Sequence, residues 1–450
     1  MKTKVMKDQA TTGLVPKLRF PAFQSAGDWT TEKLGTVATI STEKVGNNVC
    51  VPMSITSGVG LVSQQDKFGR VIAGDSYKNY LLLKPNDFAY NKSATKEYPE
   101  GFLTLYAGTE LAAVPNSIFT CFRINGDSPD VRFLNHQFSD NLHGRWLRKF
   151  IQVGARAHGS LSINDSDLMA LPVPVPAGKT SVAEQQKIAD CLGSLDELIA
   201  AQGRKVEALK THKKGLMQQL FPREGETQPR LRFPEFQGAN EWSVTTVGGL
   251  VGAGWLFPPR DGNHGNIHPK SSDYVATGIP FIMASDLNGG LIDIEKCHFI
   301  RKEQADALQK GFAREGDVLL SHKGTVGEVA VVRRINTPYL MLTPQVTYYR
   351  VKDHQRLSNE FLAQLFVADS FQANLVEASG GGTRAYIGIT EQAKLRVQLP
   401  KNIQEQHRIA DCLSSLDTLI TAATQALDTL KTHKQGLMQQ LFPSAEALDA

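Results

Sequence analysis

The chain is poor in cysteine, with five residues at 50, 121, 191, 297 and 412 and no CxxC pair. Spacing of that kind speaks against both a zinc ribbon and a disulfide framework. No run of about 18 apolar residues is present, the length a helix needs to cross a bilayer. The opening MKTKVMKDQATTG lacks the apolar stretch of a signal peptide. A cytoplasmic location with no membrane partner is therefore expected. Gly178-Lys179-Thr180 lacks the glycine five positions earlier that a phosphate-binding P-loop requires. His264 and His268 stand four apart, but HGNIH has no glutamate and lies among glycine and proline, which excludes a zinc-protease helix. SGGGT at Ser379–Thr383 does not follow the strand, GxGxxG, helix order of a dinucleotide loop. An Asn/Asp-Pro-Pro-Tyr/Phe segment, which amino-methyltransferases use, is also missing. No catalytic residue, metal or cofactor is assigned to this chain.

What is present is a soluble, globular composition, 41% hydrophobic and 21% charged over 450 residues, with material for two domains. A net charge of +4 permits nucleic-acid binding without requiring it.

The chain also repeats itself. Ile188–Pro222 reads IADCLGSLDELIAAQGRKVEALKTHKKGLMQQLFP and Ile409–Pro443 reads IADCLSSLDTLITAATQALDTLKTHKQGLMQQLFP, identical at 24 of 35 positions. A shorter echo precedes each, LRFPAFQSAGDW at Leu18–Trp29 and LRFPEFQGANEW at Leu231–Trp242. Two units about 220 residues apart are a duplicated half-molecule and not a short-period solenoid. The stretches between tag and helix do not align as sequences. Matched helices with unmatched domains imply that the helices meet the same partner surface while the domains meet different things.

Alternating steps of four and three residues pass through Ile188, Leu192, Leu195, Ile199, Gln202, Val206, Leu209, Lys213, Leu216 and Leu220. The same walk in the second copy gives Ile409, Leu413, Leu416, Ile420, Ala423, Leu427, Leu430, Lys434, Leu437 and Leu441. An apolar seam every 3.5 residues predicts a coiled coil, with Lys213 and Lys434 either setting register or reaching to water. The second domain begins just after the first helix ends, past the polar linker Arg223–Arg230, so the helices are expected to run antiparallel. The chain thus divides into a tail (1–17), a first domain (18–180), a helix (181–222), a linker (223–230), a second domain (231–400), a helix (401–443) and a tail (444–450). The fold class is α+β: two α/β domains joined by two long helices in an antiparallel coiled coil with pseudo-two-fold symmetry.

Placing Asp87 on Asp317 aligns KPNDFAYNKS with REGDVLLSHK, which predicts a shared strand followed by a polar, lysine-bearing loop. Late in each domain comes a glycine-rich basic loop, VGARAHGSLSI at Val153–Ile163 and SGGGTRAYIGI at Ser379–Ile389. Such loops let backbone approach phosphate, and arginine pairs with phosphate or guanine edges. Surface loops of this composition are common, however. Lys96, Arg145, Arg148, Lys149, Arg333 and Arg334 are read as solvated surface, and RWLRKF at Arg145–Phe150 as part of an amphipathic helix.

Taken together, the duplicated helices with their EQQKIADCLGSLDELI and EQHRIADCLSSLDTLI openings, the shared GLMQQLFP ends, the proline-bearing entries and the two unlike domains resemble the specificity subunit of a Type I restriction-modification system. The resemblance covers nearly the whole chain. It implies two target recognition domains, each reading half of a bipartite double-stranded DNA sequence, with the helices setting the spacer. It further implies two methyltransferase subunits docked by the repeats, methylating adenine at N6 with S-adenosylmethionine, and restriction subunits adding ATP- and Mg-dependent translocation and cleavage. Catalysis would belong to those partners. Carried onto this sequence, the DNA-contact candidates are Lys92, Ser93, Arg156 and His158, and Lys323, Thr325, Arg384 and Tyr386. The stretch from Pro176 to Glu184 is longer than that from Pro400 to Glu405, which predicts unequal placement of the two halves. The rival reading is a non-catalytic coiled-coil adaptor whose domains bind proteins.

Overall fold

The computed structural model describes residues 14–56, 58–151, 159, 161–380 and 385–443. The chain divides into two compact units, Met1–Gln202 with Ala426–Ala450, and Gly203–Gln425.

In the first unit an antiparallel sheet runs in the order Ala38–Ser41, Phe119–Ile124, Phe88–Asn91, Phe102–Leu105. The segment FTCFRI at Phe119–Ile124 is buried at every position but Arg123, the near-continuous apolar run of a strand covered on both faces. A second sheet runs Gly60–Ser63, Val51–Thr56, Ala112–Val114, Leu81–Leu83, and its two middle strands pair in parallel. Phe88 and Phe122 stack at 5.2 Å under the helix Val131–Ser139, whose Phe138 meets Phe88 edge-on.

The second unit repeats this plan. Its first sheet runs Arg260–Asp261, Val346–Tyr349, Val318–Lys323, Thr325–Val331. Its other sheet runs Tyr274–Val275, His298–Ile300, Ile279–Ile282, Leu340–Leu342, Phe312–Ala313, again with one parallel pair, Ile279–Ile282 beside Leu340–Leu342. The expectation of two dissimilar domains therefore holds for sequence and is corrected for topology. Divergent side chains satisfy the same alternation and burial, so one strand order survives where identity does not.

The long helices are Ser181–Leu220 and Ile403–Leu441. All twenty seam positions are buried or half-buried. In the first unit, Ile188, Leu192, Leu437, Met438 and Leu441 pack against the domain core. In the second, Leu216, Met217, Leu220, Ile409, Ala410 and Leu413 do the same. Helix direction can be read inside each unit. Leu18 N–H donates to Gln440 O and Arg19 binds Glu184, whereas further along Lys434 meets Asp196 at 2.5 Å. As one segment advances from 184 to 196 the other retreats from 440 to 434, so the pair is antiparallel. Leu231 on Gln219, Arg232 on Glu405 and Lys213 on Asp417 (2.6 Å) give the same result in the second unit. Lys213 and Lys434 are thus ion-paired across the seam and not merely reaching for water.

The short tags explain the helix openings. Arg19 donates to both Glu184 oxygens at 2.8 and 2.7 Å and Trp29 Nε1 donates to the same carboxylate. Arg232 and Trp242 treat Glu405 identically, at 2.7, 2.8 and 3.3 Å. The next residue repeats too: Gln185 accepts from Asp130 N–H and Gln406 from Ser358 N–H, and these are the N-cap residues of Val131–Ser139 and Asn359–Val367. Each Glu-Gln dipeptide therefore locks tag, domain helix and long helix together. The extra residues between Pro176 and Glu184 are absorbed before the helix, with Gly178 at φ 83°. Inside each unit the lock is the same, which corrects the expected inequality at this point.

Candidate nucleic-acid interface

The alignment of Asp87 with Asp317 is matched by structure. Asp87 is fully buried, accepts from Arg123 Nε and Nη2 at 2.6 and 2.7 Å, and caps Lys84 N–H at 2.8 Å. Asp317 accepts from Arg350 at 2.8 and 2.7 Å and from Arg314 N–H at 2.7 Å. Hydrogen bonding to these carboxylates raises both guanidinium pKa values, outweighing burial. A buried carboxylate is tolerable only when so paired, and each pair fixes the turn that launches Phe88–Asn91 or Val318–Lys323.

Both strands end against the glycine-rich stretch. Lys92 N–H donates to Ile118 O (2.8 Å) and Lys92 O accepts from Leu161 N–H (2.6 Å). In the second unit His322 N–H donates to Gln345 O (2.8 Å) and His322 O accepts from Ile387 N–H (3.1 Å). The backbone frame is the same, so Lys92 corresponds to His322, Ser93 to Lys323 and Ile118 to Gln345.

Lys323 and Thr325 face each other across a turn through Gly324 at φ 82°, and both are exposed. Glycine suits that left-handed position because it has no Cβ to clash. Tyr386, half exposed, bridges to Lys323 and lies 5.8 Å from the His322 ring. Burial lowers the His322 pKa, which keeps the imidazole neutral at pH 7. Its Nδ1 sits 2.9 Å from Ile387 O, so Nδ1–H donates and Nε2 is a buried acceptor without a partner among the described residues. In the first unit Ser93 N–H donates to Asn91, Ala94 N–H to Gly159 O, and Lys92 Nζ stands 3.9 Å from Asp165. Lys323, Thr325 and Tyr386 are therefore brought together, and Lys92 and Ser93 lie beside the other glycine-rich stretch. Arg156, His158 and Arg384 lie outside the described residues.

Several other basic residues are occupied: Arg145 by Asp140, Arg148 by Glu100 and Arg333 by Glu360. Within RWLRKF the helix Leu142–Leu147 ends at the leucine, and Lys149 folds over the Trp146 ring at 4.9 Å. Sequence reasoning missed the Glu184, Gln185, Glu405 and Gln406 locks and the Asp–Arg pairs. The repeated EQ dipeptide and the repeated Arg and Trp of the tags were the available signal. Gln345 gave none, since it lies 22 residues past Lys323 with nothing around it to mark it.

Among the described residues no helix is long and apolar enough to cross a membrane, and no group of His, Cys, Asp and Glu is arranged to hold a metal. Residues 242–432 match the family described as Type I restriction modification DNA specificity domain. The chain is similar to the Type I restriction enzyme MjaVIII specificity subunit of Methanocaldococcus jannaschii, 21% identical over 65% of this chain and 66% of that one. It is also similar to the EcoBI specificity subunit of Escherichia coli, 23% identical over 45% of this chain and 41% of that one. The chain thus spans somewhat less than two thirds of the length of the MjaVIII relative and well under half of the other. Among solved structures, the Type-I restriction-modification system S subunit from M. genitalium shares the fold, with a TM-score of 0.59 at 15% identity, covering 96% of this chain and all of that one. A chain from a study of complex assembly and conformational transition of the type I R-M system aligns with a TM-score of 0.50 at 16% identity, over 92% and 98% of the two chains.

Proposed function

We propose that this chain, which belongs to the Type I restriction-modification specificity family, reads a bipartite double-stranded DNA target, one half with each domain. The observation that carries this reading is one backbone frame presented twice with unlike tips: Lys92, Ser93 and Ile118 in one unit, His322, Lys323 and Gln345 in the other. Two half-sites of different sequence call for that combination. Lys92, Ser93, Arg156 and His158, with Lys323, Thr325, Arg384 and Tyr386, are the proposed DNA contacts.

The helices are proposed to set the spacer and to dock two methyltransferase subunits. Forty residues at about 1.5 Å rise make about 60 Å, against about 34 Å for a turn of DNA. Identical docking surfaces are supported by Leu198 and Leu419, equivalent leucines that are 55% and 53% exposed. S-adenosylmethionine, ATP and Mg would be held by methyltransferase and restriction subunits, and this chain would contribute recognition only.

The test is a map of N6-methyladenine in DNA from cells expressing the neighbouring methyltransferase with and without this chain. A bipartite motif that needs the chain is the expected result. A chain that co-purifies with the methyltransferase yet yields no motif would favour the protein adaptor. Exchanging residues 30–175 for another such domain should change one half of the motif only.

A further inference from the structure

Lys323, Thr343 and Gln345 line a pocket of about 310 Å³ in the second unit, together with His264, His268 and Met283. That volume falls at the lower end of the range for ligand pockets, about 300–1,000 Å³. Its chemistry is biased toward donors. Lys323 is exposed, and no carboxylate pairs with its ammonium among the described residues, whereas Lys92 in the first unit has Asp165 at 3.9 Å. Gln345 Oε1 already accepts from Ala284 N–H at 3.3 Å, which leaves the amide N–H groups to donate. Thr343 is 3% exposed, and its hydroxyl has no partner among the described residues. A buried hydroxyl without a partner is costly, and a bridging water or a ligand atom would satisfy it.

The bases differ in what they show such a pocket. Guanine presents two acceptors in the major groove, N7 and O6, whereas adenine presents an acceptor and a donor. A glutamine that reads adenine needs its carbonyl oxygen for the donor, and in Gln345 that oxygen is engaged by backbone. Lysine is among the side chains that suit guanine N7 and O6. At the same backbone positions the first unit carries Ser93 and the half-buried, apolar Ile118, which lack this donor set.

Building on the reading that this domain meets DNA, we propose that Lys323 and Gln345 read one guanine of the second half-site, with Thr343 forming the polar floor of the notch. The experiment uses the chain co-expressed with its methyltransferase, as wild type and as Lys323→Ala, Gln345→Ala and the double variant, and reads the methylated motif by sequencing. Discrimination at one guanine should fall on the order of ten-fold or more, the loss expected of one good base contact. That guanine should lie in the half that changes when residues 231–400 are exchanged, and the other half should stay as it was. A motif unchanged at every position, or relaxed at a base other than guanine, overturns the assignment. So does loss of methylation at both halves with an unaltered circular dichroism spectrum and melting curve. A wild-type chain that yields no bipartite motif overturns the functional reading together with the assignment.

Discussion

In the first unit the strand after the buried aspartate runs into Lys92 and Ser93 with Ile118 alongside, while in the second it runs into His322 and Lys323 with Gln345 alongside. Behind these tips the units agree residue for residue: Asp87 with Arg123 and Asp317 with Arg350, Arg19 and Trp29 on Glu184 and Arg232 and Trp242 on Glu405. The difference lies in solvent. A buried ion pair tolerates no change in one partner, because the other is left as an uncompensated charge. An exposed loop tip carries no such debt to the core. Recognition residues are free to diverge because the frame that carries them is not.

The most severe way to break the likeness is to charge the seam in both units. Leu195→Lys with Leu416→Lys should abolish target methylation while circular dichroism still reports folded domains, and methylation at wild-type level would refute the paired helices. Next come the locks, where Glu184→Ala and Glu405→Ala each strand a buried arginine and a tryptophan N–H. Each should destabilise its own unit by about 3–5 kcal/mol, seen as urea melts resolved by hydrogen exchange. Matching losses would support equivalence, and a large difference would break it.

Acid should separate the units. Burial holds His136 and His143 down at about 4, so both are neutral in the folded first unit and protonate in the unfolded chain near 6.5. The unfolded state then binds more protons, and stability should fall as pH drops from about 6.5 to about 4, by about 3 kcal/mol for each. The second unit has His322 as its deeply buried counterpart, also lowered by burial. Melts at pH 7.5 and 5 should show the first unit losing more, and equal losses would argue against two buried neutral imidazoles there. The smallest effect is expected at the cross-seam pairs. Lys213→Ala and Lys434→Ala should each cost about 0–1 kcal/mol, less at high salt, because Asp417 and Asp196 are 36% and 48% exposed.

Much of the frame was legible before any coordinates. The seam was readable because helical periodicity is local: a residue every 3.5 positions points the same way whatever lies elsewhere, and all twenty seam residues are covered. Asp87 and Asp317 could be aligned because a buried carboxylate before a strand leaves a visible mark. Their arginine partners, 36 and 33 residues on, left none, since strand pairing joins residues with no fixed spacing. The shared topology was hidden for the same reason. Alternation and burial can be met by many side chains, so the two domains keep one strand order without keeping identity.

By itself the sequence determined the duplication, the two long helices, their apolar seams and their opposed direction, because periodicity and connectivity are properties of the chain. Only the tertiary structure decided that unlike domains share one sheet order, that each Glu-Gln dipeptide clamps its tag and domain helix, and that Gln345 and Thr343 stand beside Lys323. Those outcomes depend on which distant segments come within hydrogen-bonding distance, and that is settled by packing in three dimensions.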